Sequence, residues 1–154
     1  MSSEAPITKQ LEKNETVWDI ECELVEHEIS TGIWLTSQWQ LKGFNLKPEM
    51  VSESVTSLEL HKDERTDYRF NLSSQQPKLF LILDNMDTDS VPKIVSLTAS
   101  QSVAAQYMDG DYLVLSNDMP LPIQAWMEAF IGRHGELLEQ RRKKRRGAGR
   151  SSGN

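Results

Sequence analysis

From Trp18 to Leu24 the chain alternates: Trp18, Ile20, Cys22 and Leu24 share one parity, and Asp19, Glu21 and Glu23 take the other. A period of two describes a strand with one buried and one wet face. Such a strand needs neighbours and a cover for its apolar side. Thr31-Gly32 reads as a turn, and Trp39-Gln40-Leu41-Lys42-Gly43 alternates again, which predicts a second strand over roughly 38–46. Lys47-Pro48-Glu49 ends it, because proline has no N–H to give to a ladder.

Val55 to Leu60 is a third predicted strand. Thr66–Leu72 is a fourth, with Tyr68, Phe70 and Leu72 on one face. A short helix over Lys62–Tyr68 competes with it, since Asp63, Glu64 and Arg65 suit a strand poorly. Leu79-Phe80-Leu81-Ile82-Leu83 is a continuous apolar run of strand length and reads as central in the sheet. Lys93–Thr98 and Tyr112–Leu115 complete the strands, and Ser100 can cap a short helix through Tyr107.

The cover comes late in the chain. Ile123, Trp126, Met127, Phe130 and Ile131 recur at helical spacing after Asn117-Asp118-Met119-Pro120, a start signal with a polar pair to cap it. Gly132 and Gly135 weaken the end of this helix, and Leu137 and Leu138 could prolong its apolar face. The expected fold is α+β: a mainly antiparallel sheet, as a sandwich or curled barrel, closed by a C-terminal amphipathic helix. The expected organisation is a flexible leader over 1–14, one domain over 15–140 and a disordered basic tail over 141–154.

Charge divides along the same line. The chain of 154 residues carries a net charge of -6. Residues 141–150 hold seven Lys or Arg and no acid, so the rest carries ten basic residues against 23 acidic ones, a net -13. Such a body repels nucleic acid and anionic membrane. The run Arg141-Arg142-Lys143-Lys144-Arg145-Arg146 attracts them, through phosphates or lipid headgroups, or serves as a docking arm for an acidic protein surface. It has no interleaved aromatics to stack bases and no apolar face to enter lipid.

Motifs for chemistry are sparse. Cys22 is the single cysteine, which rules out an intrachain disulfide and a multi-thiolate metal site within one chain. Its parity places it indoors, as an unreactive thiol. There is no GxxxxGK or GxGxxG run. His27, His61 and His134 lack the close spacing of a helical zinc motif, and the aspartates of 84–89 lack the glycine and glutamate of a calcium loop. No cofactor and no metal is expected. His61, Glu64, Arg65 and Tyr68 form the densest polar cluster, open to reading as a small catalytic site or as a charged loop. Trp18, Trp34, Trp39 and Trp126 could pack a core or form a binding surface, with Trp34, beside a turn, the best placed for exposure. No apolar run reaches the ~20 residues of a membrane span.

Several pieces in order carry a resemblance: Trp34 and Trp39, Leu58 through Ser74, Pro77 to Leu83, Leu97-Thr98-Ala99-Ser100, Ala104-Ala105-Gln106-Tyr107, Met119-Pro120, Trp126, Phe130, His134 and the basic end. Over roughly residues 17–146 the chain resembles a bacterial family of unknown function whose genes often stand beside those of formate dehydrogenase. The family's phrase would put threonine directly after Glu64, and here it is Thr66. The resemblance implies an accessory or interaction protein in the biogenesis or attachment of that enzyme, with an enzyme subunit or maturation factor as partner. The single cysteine and an N-terminal sequence without a basic region and apolar run suit a cytoplasmic protein, and the resemblance adds a peripheral place at the membrane. The interaction candidates are then Trp34, Trp39, His61, Glu64, Arg65, Tyr68 and the basic run 141–146. A nucleic-acid-binding module acting through the tail and a small enzyme at His61–Tyr68 are the competing functions.

Overall fold

The structure is a computed structural model and describes residues 11–84, 91–108 and 110–135. The basic run at 141–146, Leu137, Leu138 and the loop aspartates Asp87 and Asp89 lie outside these residues. Six strands form one sheet: β1 (Val17–Thr31), β2 (Trp34–Asn45), β3 (Val55–Glu59), β4 (Lys78–Asp84), β5 (Lys93–Thr98) and β6 (Tyr112–Asp118). Their spatial order is β2-β1-β3-β5-β4-β6. All pairings are antiparallel except β3 with β5.

The sheet curls until its two edges nearly meet. Asn117 on β6 donates its Nδ2 to the carbonyls of Leu41 at 2.8 Å and Lys42 at 2.9 Å on β2, so one side chain spans the gap. Helix α3 (Leu121–His134) packs against this near-barrel. Its Ile123, Met127, Phe130 and Ile131 are fully buried against Trp18, Ile20, Leu58, Leu79 and Leu81. The expected α+β fold, a curled sheet closed by the C-terminal helix, is the one observed. The apolar run of β4 lies between β5 and β6, with Leu79, Leu81, Ile82 and Leu83 fully buried.

Details differ at three places. Residues 66–72 are a helix, α1 (Arg65–Leu72), preceded by a 3-10 turn at Lys62–Glu64, so the competing helix replaces the predicted fourth strand. Tyr68 and Leu72 share a face at either period, and Phe70 separates the two: it is 78% exposed, where a strand would have turned it inward with them. The polar pair before α3 does not cap it. Asn117 and Asp118 end β6, Pro120 takes the N-cap position, and no side chain caps the helix. That helix stops at Gly135, whose φ of 77° lies where other residues are strained. Finally, Asp19 is buried rather than on a wet face; it accepts from Ser57 Oγ at 2.5 Å and from the Glu12 backbone N–H at 2.8 Å.

That last contact ties the chain to the fold before residue 14. Lys13 bridges to Trp18, and its ammonium sits 4.1 Å from the indole centroid. Trp126 donates its indole N–H to the Asn14 carbonyl at 2.7 Å. Trp18 and Trp126 meet edge to face at 5.5 Å, and Trp18 also donates to the Leu46 carbonyl. Two of the four indoles are therefore architectural.

Candidate docking surface

Helix α1 carries the polar cluster that stands out in the sequence, and it uses most of that cluster internally. Arg65 is buried and faces the C-terminal end of α3, where Nη1 donates to the carbonyls of His134 and Gly135; its Nε donates to the Lys62 carbonyl at 2.7 Å. Those carbonyls belong to the unpaired end of a helix, which favours a cation. Tyr68 is fully buried, donates to Glu64 Oε1 at 2.8 Å and accepts the His61 backbone N–H at 2.9 Å. Burial, reinforced by the carboxylates of Glu64 and Asp63, pushes the phenol pKa well above its ordinary value. Asp67 accepts from Ser100 Oγ at 2.5 Å, while that same oxygen caps helix α2 (Gln101–Ala105) by accepting the Val103 N–H.

Asn71, which sequence reasoning passed over, does as much as any of these. Its amide donates to the carbonyls of Lys78 and Ala99 and accepts the Lys78 N–H, tying the end of α1 to β4 and to the residue after β5. Arg69 pairs with Glu128 on α3 at 2.7 Å. His61 and Glu64 do line a polar recess of about 170 Å³, together with Ser57, Glu59, Ser96 and Thr98. Arg65 and Tyr68 are used elsewhere, so the four candidates do not converge on one pocket. Among the described residues, no group of three or more His, Cys, Asp or Glu side chains stands close enough to hold a metal ion. Cys22 is buried, and burial pushes its thiol up to about 12.

The other candidates, Trp34 and Trp39, belong to a different structure. β3 pairs with β1 only from Val17 to Glu21, and Cys22 makes the last link to Ser54. Beyond that point β1 has β2 as its one neighbour among the described residues. The ladder shifts register between Glu23 and Leu24, where Lys42 is the extra residue on β2. A bulge bends and twists a strand, and here it sits where the pair leaves the barrel. From Val25↔Gln40 to Thr31↔Trp34 the two strands continue as a ribbon. At ~3.3 Å per residue it projects about 23 Å. Every residue from Glu26 to Gln38 is exposed. Gly32, at φ 63°, supplies the positive φ that a two-residue hairpin turn requires.

Pairing fixes the two faces of this ribbon. Residues opposite one another share a face, and faces alternate along each strand. One face holds Glu26 with Trp39, Glu28 with Ser37, and Ser30 with Leu35. The other holds Val25, His27, Ile29, Trp34, Thr36 and Gln38, and bears no carboxylate, ammonium or guanidinium. At the tip Ile33 is 90%, Trp34 70% and Leu35 72% exposed. Three consecutive large apolar side chains therefore stand in water at the end of the ribbon. Trp39, lower on the ribbon, is half-buried.

The described residues thus form a near-closed barrel from which an apolar-tipped ribbon projects. The model of a family described as proteins of unknown function (DUF3305) matches residues 23–145, and the chain belongs to that family. The matched span takes in the whole ribbon, α1 and α3. No curated protein and no solved structure matches the chain. Among the described residues, no helix is long and apolar enough to cross a membrane.

Proposed function

We propose that the protein is an accessory protein without catalytic chemistry of its own, and that it holds a partner protein through the β1–β2 ribbon. The observation that carries this reading is the tip: Ile33, Trp34 and Leu35 stand exposed in sequence on an arm that no described residue covers. An indole such as that of Trp34 is among the side chains that most often anchor the centre of an interface. The carboxylates of Glu26 and Glu28 beside them oppose a nucleic-acid partner, whose phosphates would meet like charge.

The resemblance to a family encoded beside formate dehydrogenase supplies the partner: a subunit or maturation factor of that enzyme, met in the cytoplasm or at the membrane surface where the enzyme assembles. Purified dehydrogenase subunits and maturation factors, offered singly to the immobilised full chain, test this by calorimetry or interferometry. One of them should bind, and Ile33→Asp should abolish binding while Phe70→Ser, at another exposed apolar site, on α1, leaves it intact. Binding that ignores Ile33→Asp removes the ribbon from the reading. Binding by none of these proteins removes the formate dehydrogenase partner.

A further inference from the structure

The two strands of the ribbon present free edges of opposite character. The β1 edge from Glu23 onward carries Glu23, Glu26 and Glu28. Charges on an exposed edge are the usual protection against pairing with another strand, because a second copy would bring like charges opposite each other. The β2 edge has no such protection. From Trp34 to Leu41 the sequence is Trp-Leu-Thr-Ser-Gln-Trp-Gln-Leu, without a charge, a proline or a glycine.

The open length of that edge is also defined. At Leu41 and Lys42 the β2 carbonyls accept from Asn117 of β6, so the edge is occupied at that point. At the other end, the strand begins at Trp34. Among the described residues nothing pairs with the seven from Trp34 to Gln40 on that edge, and their midpoint is Ser37.

From this geometry we infer that β2 pairs with β2 of a second copy, antiparallel, across a two-fold axis at Ser37. The occupant follows from the edge itself. A two-fold centred on Ser37 sets Leu35 against Trp39 twice on one face, and Trp34 against Gln40 and Thr36 against Gln38 on the other. Aliphatic–aromatic cross-strand pairs stabilise a ladder, and no pair in this register is charged. The contact is isologous, so one partner uses up the unprotected edge of each chain. The acidic β1 edges then face outward and stop further growth. Seven paired residues cover less than a standard interface of roughly 1,600 Å², so the dimer forms reversibly with rising concentration.

The inference concerns the isolated chain and stands whether or not a partner protein is found. Light scattering and sedimentation of the full chain over micromolar to near-millimolar concentrations should show the mass rising from one chain to two. Ser37→Cys should give a disulfide-linked dimer with oxidised glutathione, because opposed antiparallel residues lie about 4.5–5.5 Å apart at Cα, within disulfide reach. Ser30→Cys, on the same face of the ribbon but on β1, should not. Native Cys22 is buried and will not compete. Ser37→Lys should move the monomer–dimer midpoint several-fold to higher concentration, and Ser30→Lys should leave it in place. A one-chain mass throughout, growth beyond two chains, or equal crosslinking of the two cysteine variants would overturn the proposal.

Discussion

Helix α1 and the β1–β2 ribbon both carry exposed-looking polar sequence, and they use it in opposite ways. On α1, Arg65, Asp67, Tyr68 and Asn71 each bond to a different neighbouring element: the end of α3, the cap of α2, the preceding turn, and β4 with the residue after β5. Along the ribbon, Thr36 Oγ1 reaches only the Ile29 carbonyl across the same ladder. A dense motif is therefore no guide to a binding face. The side chains of α1 hold the barrel and its helices together, whereas the plainer segment Ile29–Gln40 is the one with surface to offer.

The contrast predicts large stability effects on α1. Arg65→Ala leaves the terminal carbonyls of α3 without their cation and should cost about 1.5–3 kcal/mol in urea unfolding, the range for hydrogen bonds to a charged group. Equal stability of this variant and the native chain would break the comparison. Tyr68→Phe removes the phenol's bonds to Glu64 and to the His61 N–H, which solvent can partly replace, and should cost about 0.5–1.5 kcal/mol by the same measurement.

Acid should act more weakly and in one direction. The Arg69 hydrogen bond holds the Glu128 carboxyl below 4.5, so the stability it adds is complete above that pH and is lost as pH falls through the lowered value. The pair is solvated, which limits its worth to about 1 kcal/mol or less. Desolvation, with the nearby cations Lys62, Arg65 and Arg133, lowers the His134 pKa below 6.5. The unfolded chain then takes up that proton first, and stability declines as pH drops below 6.5. Thermal melting followed from pH 7 down to about 2 should show a first fall below pH 6.5 and a second below pH 4.5, the second reduced in Glu128→Gln. The smallest effect belongs to the ribbon: Trp34→Ala, at an exposed site, should change stability by no more than about 0.5 kcal/mol. Its neighbouring amides should exchange hydrogen far faster than those of β4.

The sequence disclosed the sheet, the buried run of β4 and the closing helix, because each shows its period within a short window. The ribbon left a fainter trace. The carboxylates sit at Glu21 and Glu23, then change parity to Glu26 and Glu28, and the register shift falls between Glu23 and Leu24. Alternation that loses phase marks a strand leaving its core. The place where β3 stops pairing is set by a distant segment and has no local signature. Trp34 was legible from its turn. The role of Arg65 was not, since its acceptors lie 69 and 70 residues further on. Helix α1 was ambiguous because the Tyr68 and Leu72 positions satisfy both periods, and only packing decides where Phe70 points.

The clasp between the Trp126 indole and the Asn14 carbonyl spans 112 residues. It sets an order of events during synthesis. The hairpin of the ribbon is made of local contacts and can close in microseconds once its turn has been made. The barrel core needs Phe130 and Ile131, which are translated more than a hundred residues after Trp18. At roughly 5–20 residues per second, the ribosome displays the first half of the sheet for several seconds before its cover arrives. The ribbon's contacts are thus among the first that the nascent chain can make, and the body folds only once α3 has been made.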